Sequence, residues 1–127
     1  MTEITNLIKE AKKHVGEFKL SNDKMTAGSI SAAILSSTGK IYTGICIDVA
    51  SGIGFCAEHS AIAQMLKDRD TRIEMVVTVK DNGDIIPPCG RCRELMLLIN
   101  NDNRNTKVAI ERDKIILLKE LLPFRSL

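Results

Sequence analysis

Apolar residues recur at Ile4, Leu7, Ile8, Ala11, Val15 and Phe18, with Lys9, Glu10, Lys12, Lys13 and Glu17 between them. That spacing keeps one helix face apolar and predicts an amphipathic helix over 3–20, lying on a sheet. After the polar break Ser21-Asn22-Asp23, the small and apolar runs Gly28–Ser36 and Ile41–Ile47 flank Ser37-Thr38-Gly39-Lys40. This is the pattern of two antiparallel strands around a glycine-bearing turn. The glycine-bearing stretch 50–54 precedes a helical segment over 56–68 and then a strand, Ile73–Val79, apolar on both faces as in a sheet covered by helices. Lys80–Asp84 reads as a polar loop, Pro87-Pro88 as a strand stop, and Arg91–Asn100 as a helix with Leu95, Met96, Leu98 and Ile99 apolar. Val108–Glu111 and Ile115–Leu118 are the last predicted strands. The alternation predicts an α/β class domain, a three-layer α/β/α arrangement on a mixed five-stranded sheet. No repeat, low-complexity tract or linker interrupts it, so 1–127 reads as a single domain.

Composition agrees and narrows the class. At 127 residues, with 44% hydrophobic and 27% charged positions, the chain can bury about two-thirds of its extended surface and needs no staple. The formal charge of +2 comes from 18 basic against 16 acidic side chains. That balance gives no one-sided field for a nucleic-acid polymer or an acidic membrane. The N-terminus has no basic segment followed by an apolar core, and the longest apolar runs are short, so a cytoplasmic, unprocessed protein is expected. Four cysteines in a reducing compartment then read as ligands, catalytic groups or small core residues.

Their spacing discriminates. Cys56-Ala57-Glu58 and Pro88-Cys89-Gly90-Arg91-Cys92 each stand at a predicted helix start. Positions 89 and 92 share a face of the first helical turn, which suits two tetrahedral Zn–S bonds of about 2.3 Å. Three thiolates and one open position make a catalytic zinc site, because a closed structural site uses four protein ligands. Helix N-termini, with His59, Arg91 or Arg93 donating to sulfur, would offset the charge of the thiolates. Glu58 is placed to take a proton from a zinc-bound water, the arrangement of the zinc nucleobase deaminases. Two other readings stand beside this one: a non-catalytic protein whose structural zinc takes Cys46 or His59 as fourth ligand, and a redox pair at Cys89 and Cys92.

C-A-E followed about thirty residues later by P-C-x-x-C resembles the cytidine deaminase family. The hairpin Ser31-Ala32-Ala33-Ile34 through Gly39-Lys40-Ile41-Tyr42-Thr43-Gly44 and the terminal Glu120-Leu121-Leu122-Pro123-Phe124 extend the match over nearly the whole chain. Pro-Cys-Gly-Arg-Cys-Arg is most similar to the blasticidin-S deaminase branch. The resemblance implies hydrolytic loss of ammonia from C4 of a cytosine ring in a nucleoside, with one Zn²⁺ per subunit on Cys56, Cys89 and Cys92 and Glu58 as proton shuttle. It further implies that the Ala57 N–H holds the pyrimidine carbonyl and that the Pro87 C=O accepts from the leaving amine. Ser31, Cys46 and Asp48 would face the substrate, and Phe124 would close a neighbour's pocket in a homotetramer or dimer. Where cytidine-using members carry an Asn-x-Glu pair for the ribose, this sequence has Cys46 and Asp48. Gly28 falls near a common base-stacking position, and His59 follows the glutamate where an arginine is usual.

Overall fold

A computed structural model describes residues 2–124. Five strands form the body of a mixed sheet in the order β3 (Ile41–Asp48), β2 (Thr26–Ser36), β4 (Ile73–Lys80), β6 (Lys107–Glu111), β7 (Lys114–Leu117). Two-residue strands extend its edges: β1 (Phe18–Lys19) pairs with the start of β2, and β5 (Ile85–Ile86) with the end of β4. Only β4 and β6 run parallel, and the crossover between them carries α3 (Gly90–Ile99). The expected mixed sheet is therefore present, with two short additions that 80–88 and 13–20 do not advertise.

Alternation along the strands sorts side chains into two cores. Ala33, Met75, Val77, Val79 and Ala109 meet Ile4, Leu7 and Ala11 of α1 (Thr2–Lys12) on one face. Ile34, Val76 and Val108 meet Ala61, Ile62 and Met65 of α2 (Ala57–Lys67), and Met96 and Leu97 of α3, on the other. Three layers result. Ser31 shares its strand face with Ala33 and lies opposite Val79, so it points to the α1 side.

The first helix stops at Lys12, eight residues before the end that periodicity predicts. Val15 still packs against the α1-side core, but the Gly16 N–H donates to the Gly28 carbonyl at 2.7 Å and Phe18 pairs with Ala27. Strand pairing captures the segment, and Phe18 is left half exposed. Gly28 sits at φ +88°, and a Cβ there would stand 2.4 Å from the Gly16 carbonyl oxygen. A side chain there would have to displace backbone.

Beyond α3, a 3₁₀ turn at Asn101–Asn105 buries Asn103 completely. Its amide donates to the carbonyls of Met96 and Thr71 and accepts from the Ile73 N–H at 2.8 Å, joining the end of α3 to the start of β4. A last short helix, α4 (Leu118–Leu121), follows β7. Among the described residues no helix is long and apolar enough to cross a membrane.

Candidate functional site

Cys56 and Cys89 occupy equivalent places, each the residue that caps the N-terminus of its helix, α2 or α3. Their side chains turn toward one another, with the sulfurs 3.1 Å apart. Cys92, fully buried one turn into α3, brings its sulfur to 3.6 Å from that of Cys89. All three sulfurs lie within 4.8 Å of one another. Tetrahedral zinc with bonds of about 2.3 Å requires sulfurs about 3.8 Å apart, so the trio needs only a small expansion to hold the ion.

The electrostatics point the same way. Burial pushes the Cys56 thiol up to about 11, reinforced by the sulfur of Cys89. Burial, then the charge of Glu58, drives the Cys92 thiol up as well. At Cys89 burial also opposes ionisation, but hydrogen bonds from Cys56 and Cys92 outweigh it and hold that thiol below its ordinary value. Three thiolates so close do not sustain one another, whereas a dication among them would. The uncapped N–H groups of two helix starts add partial positive charge from the protein side. The residues present fit zinc.

Glu58 stands one residue into α2 and is 2% exposed. Its Oε1 lies 3.6 Å from the Cys92 sulfur and its Oε2 accepts a hydrogen bond of 2.9 Å from Thr78 Oγ1 on β4. Of the three candidate sulfur donors, His59 is the one whose ring nitrogen is near, 3.3 Å from Cys92 Sγ. Burial, then the charge of Arg91, holds its pKa below the ordinary imidazole value. Arg91 extends to the Gly54 carbonyl at 3.5 Å, and Arg93 to the carbonyls of Pro88 and Leu121 at 2.8 and 3.1 Å. Successive helix positions diverge by about 100°, so the arginines on either side of Cys92 leave its sulfur and brace the surrounding loops.

A cavity of about 790 Å³ opens over the cluster. Ala57, Glu58, Cys56, Cys89, Thr78 and Pro87 line it, and Cys46, Asp48, Lys24 and Met25 also border it. Cys46 is buried against Ala32 and Ala57, and its sulfur lies 3.3 Å from Ser29 Oγ. Asp48 Oδ2 accepts from Ser29 at 3.5 Å and from Cys46 at 3.6 Å, and the side chain reaches solvent. Phe55 supplies an aromatic wall, its ring 6.4 Å from that of His59 and 18° from parallel. Ser31 is fully buried on the opposite sheet face, its hydroxyl unpartnered, and does not border the cavity. Phe124, fully exposed, does not line this chain's cavity either. Sequence reasoning missed Thr78 and Lys24. The signal for Thr78 was a lone hydroxyl inside the apolar run Met75–Val79; Lys24 carried none.

Residues 1–107 match the model of a family described as the cytidine and deoxycytidylate deaminase zinc-binding region. A probable cytidine deaminase of Dictyostelium discoideum is 37% identical over 67 residues, 51% of this chain and 46% of that protein. A blasticidin-S deaminase of Bacillus cereus is 29% identical over an alignment of 140 positions, covering 97% of this chain and 84% of that protein. The match spans about half the length of the curated cytidine deaminases it meets first. The crystal structure of cytidine deaminase from Mycobacterium tuberculosis superposes with a TM-score of 0.81 over 98% of this chain and 97% of that one, at 22% identity, which is a likeness of fold.

Proposed function

Because this chain belongs to the cytidine and deoxycytidylate deaminase zinc-binding family, we propose that it hydrolyses the exocyclic C–N bond of a cytosine-containing nucleoside, releasing ammonia. The observation that carries the reading is the meeting of Glu58 with Cys56 and Cys89 on the cavity wall, with the buried Cys92 sulfur 3.6 Å from the Glu58 carboxylate. Among the described residues the metal-holding cluster contains three cysteines, with Cys46 and His59 outside it. A closed four-ligand structural site is thereby disfavoured, and Cys56, Cys89 and Cys92 would hold the ion beside Glu58.

The pyrimidine lies between Ala57 and Pro87. The N–H of Ala57, a first-turn donor without an intrahelical acceptor, fixes the ring carbonyl. The carbonyl of Pro87 accepts from the amino group at C4. Zinc, when bound by the three cysteines, supplies a Lewis acid that makes water nucleophilic at neutral pH. Glu58 takes one proton from the attacking water and passes it to the ring nitrogen, then carries the second to the amine. Water and a cytosine nucleoside thus become a uracil nucleoside and ammonia. At the sugar end Asp48 offers a carboxylate to a hydroxyl, whereas Cys46, hemmed in by Ala32, Ala57 and Ser29, replaces an amide with a poor hydrogen-bond group. Exposed Phe124 is free to close a neighbour's cavity, so a homotetramer or dimer in the cytosol belongs to the same proposal.

Zinc-loaded protein should bleach the cytosine absorbance band of cytidine, deoxycytidine or blasticidin S. Glu58→Gln should slow this by about 10²–10⁴-fold. If a zinc-replete sample turns over none of the three, the proposal fails.

A further inference from the structure

We infer that Thr78 is a positioning residue for Glu58: its hydroxyl holds Oε2 of the carboxylate and leaves Oε1 as the oxygen that faces the thiolates and moves protons. The observations are geometric. Thr78 Oγ1 lies 2.9 Å from Glu58 Oε2, both residues are 2% exposed, and both border the cavity. The only other hydrogen-bonding partner of the carboxylate oxygens among the described residues is the Cys92 sulfur at 3.6 Å from Oε1, and a thiol is a weak donor.

The terminal torsion of a glutamate is broad and nearly two-fold, so burial alone does not decide which oxygen points where. A hydroxyl donor does decide it, and a charge-assisted O–H···O⁻ bond is among the stronger ones. Threonine suits the task better than serine. Its β-branch restricts χ1 and fits the pleated strand, so the methyl packs in the apolar layer while the hydroxyl keeps one direction. Thr78 sits on the β4 face of Val76, which packs toward α2, and β2 and β6 or β5 flank that strand on both edges. The donor is therefore fixed to the most enclosed strand of the sheet. The carboxylate, in contrast, rides at the end of a long side chain on the first turn of α2.

The kinetic part of the inference rests on the deaminase reading; the structural part does not. Three zinc-loaded variants test it: Thr78→Val, isosteric and lacking the hydroxyl; Thr78→Ala, a second hydroxyl-free form in case valine does not fold; and Thr78→Ser, which restores the donor. Crystal structures should show the Glu58 carboxylate rotated or split between orientations in Thr78→Val or Thr78→Ala and single in Thr78→Ser. Zinc content should stay at wild-type level in all three. With a cytosine nucleoside, kcat should fall about 10- to 100-fold in the hydroxyl-free variants with KM little changed, and Thr78→Ser should recover most of it. In a Glu58→Gln background, Thr78→Val should cost nothing further, because the two residues act as one unit. A carboxylate that keeps its orientation without the hydroxyl overturns the inference. So does wild-type kcat in Thr78→Val, or an equal loss in Thr78→Ser. If the wild type deaminates no cytosine compound, the functional proposal falls while the crystal structures still decide the role of Thr78.

Discussion

Asp68 shows how one side chain at the end of a helix ties two layers together. It follows α2, and its Oδ2 accepts from Lys40 Nζ at 2.8 Å and from the Tyr42 hydroxyl at 2.6 Å, both on or beside β3. The bond from Lys40, then that from Tyr42, holds its carboxyl below the ordinary aspartate value. A depressed carboxylate contributes stability that is complete above its unfolded pKa and is lost as the pH falls through the folded one. Asp68→Asn should therefore lower the urea midpoint at neutral pH and make no difference in strong acid, where wild type and variant should converge. High salt should shrink the neutral gap, since the groups are partly exposed. A gap independent of pH would mean that packing and not charge is what Asp68 provides.

Elements meet closely where they carry the site. A Cβ on Gly44 of β3 would stand 2.5 Å from the Ala61 nitrogen and 2.6 Å from the Ala57 carbonyl oxygen. This contact is backbone on backbone, so it cannot be relieved by a side-chain rotation. Gly44→Ala should push the first turns of α2 off the sheet, costing about 1–3 kcal/mol and several degrees of melting temperature. It should also displace Ala57 and Glu58, lowering kcat. Gly90→Ala, with nothing within 4 Å of the new Cβ, should melt within a degree or so of the wild type; equal losses in both variants would refute the close-contact account. What was legible in the sequence divides along the same line. The starts of α2 and α3 were readable because Cys-Ala-Glu and Pro-Cys-x-x-Cys announce them chemically. The end of α1 was not, because Val15 and Phe18 continue its 3.6-residue period while pairing with β2 decides the outcome. Asn103 was silent and Thr78 was marked by no more than a lone hydroxyl in an apolar run: a polar residue's burial depends on partners brought from thirty or twenty positions away.

At the scale of the whole molecule the two cores differ in what closes them. The α1 side is closed by apolar contact, from Leu7 to Val77 and Ala109, with the Ser31 hydroxyl buried on the same face. On the other side α2 and α3 share one core through Ala61, Ile62 and Met65 with Met96 and Leu97, and a metal joining Cys56 to Cys89 and Cys92 would link their N-terminal ends as well as serve the cavity. Zinc on the folded chain releases protons from the thiols, of which burial favours the protonated form at Cys56 and Cys92, so its binding free energy adds to folding stability. At a free zinc concentration of a hundred times Kd that is about 2.7 kcal/mol, or roughly 10 °C for a chain of this length. Chelation should lower the melting temperature by that order, and re-addition of zinc should restore it. Amide exchange should locate the effect. Protection should fall at 57–61 and 90–94, where the first helical turns lose their anchor, while α1 and the centres of β2 and β4 keep theirs. Loss of protection spread evenly over the sheet would show instead that the metal holds the whole fold. No change at either helix start would show that the cysteines fold without it.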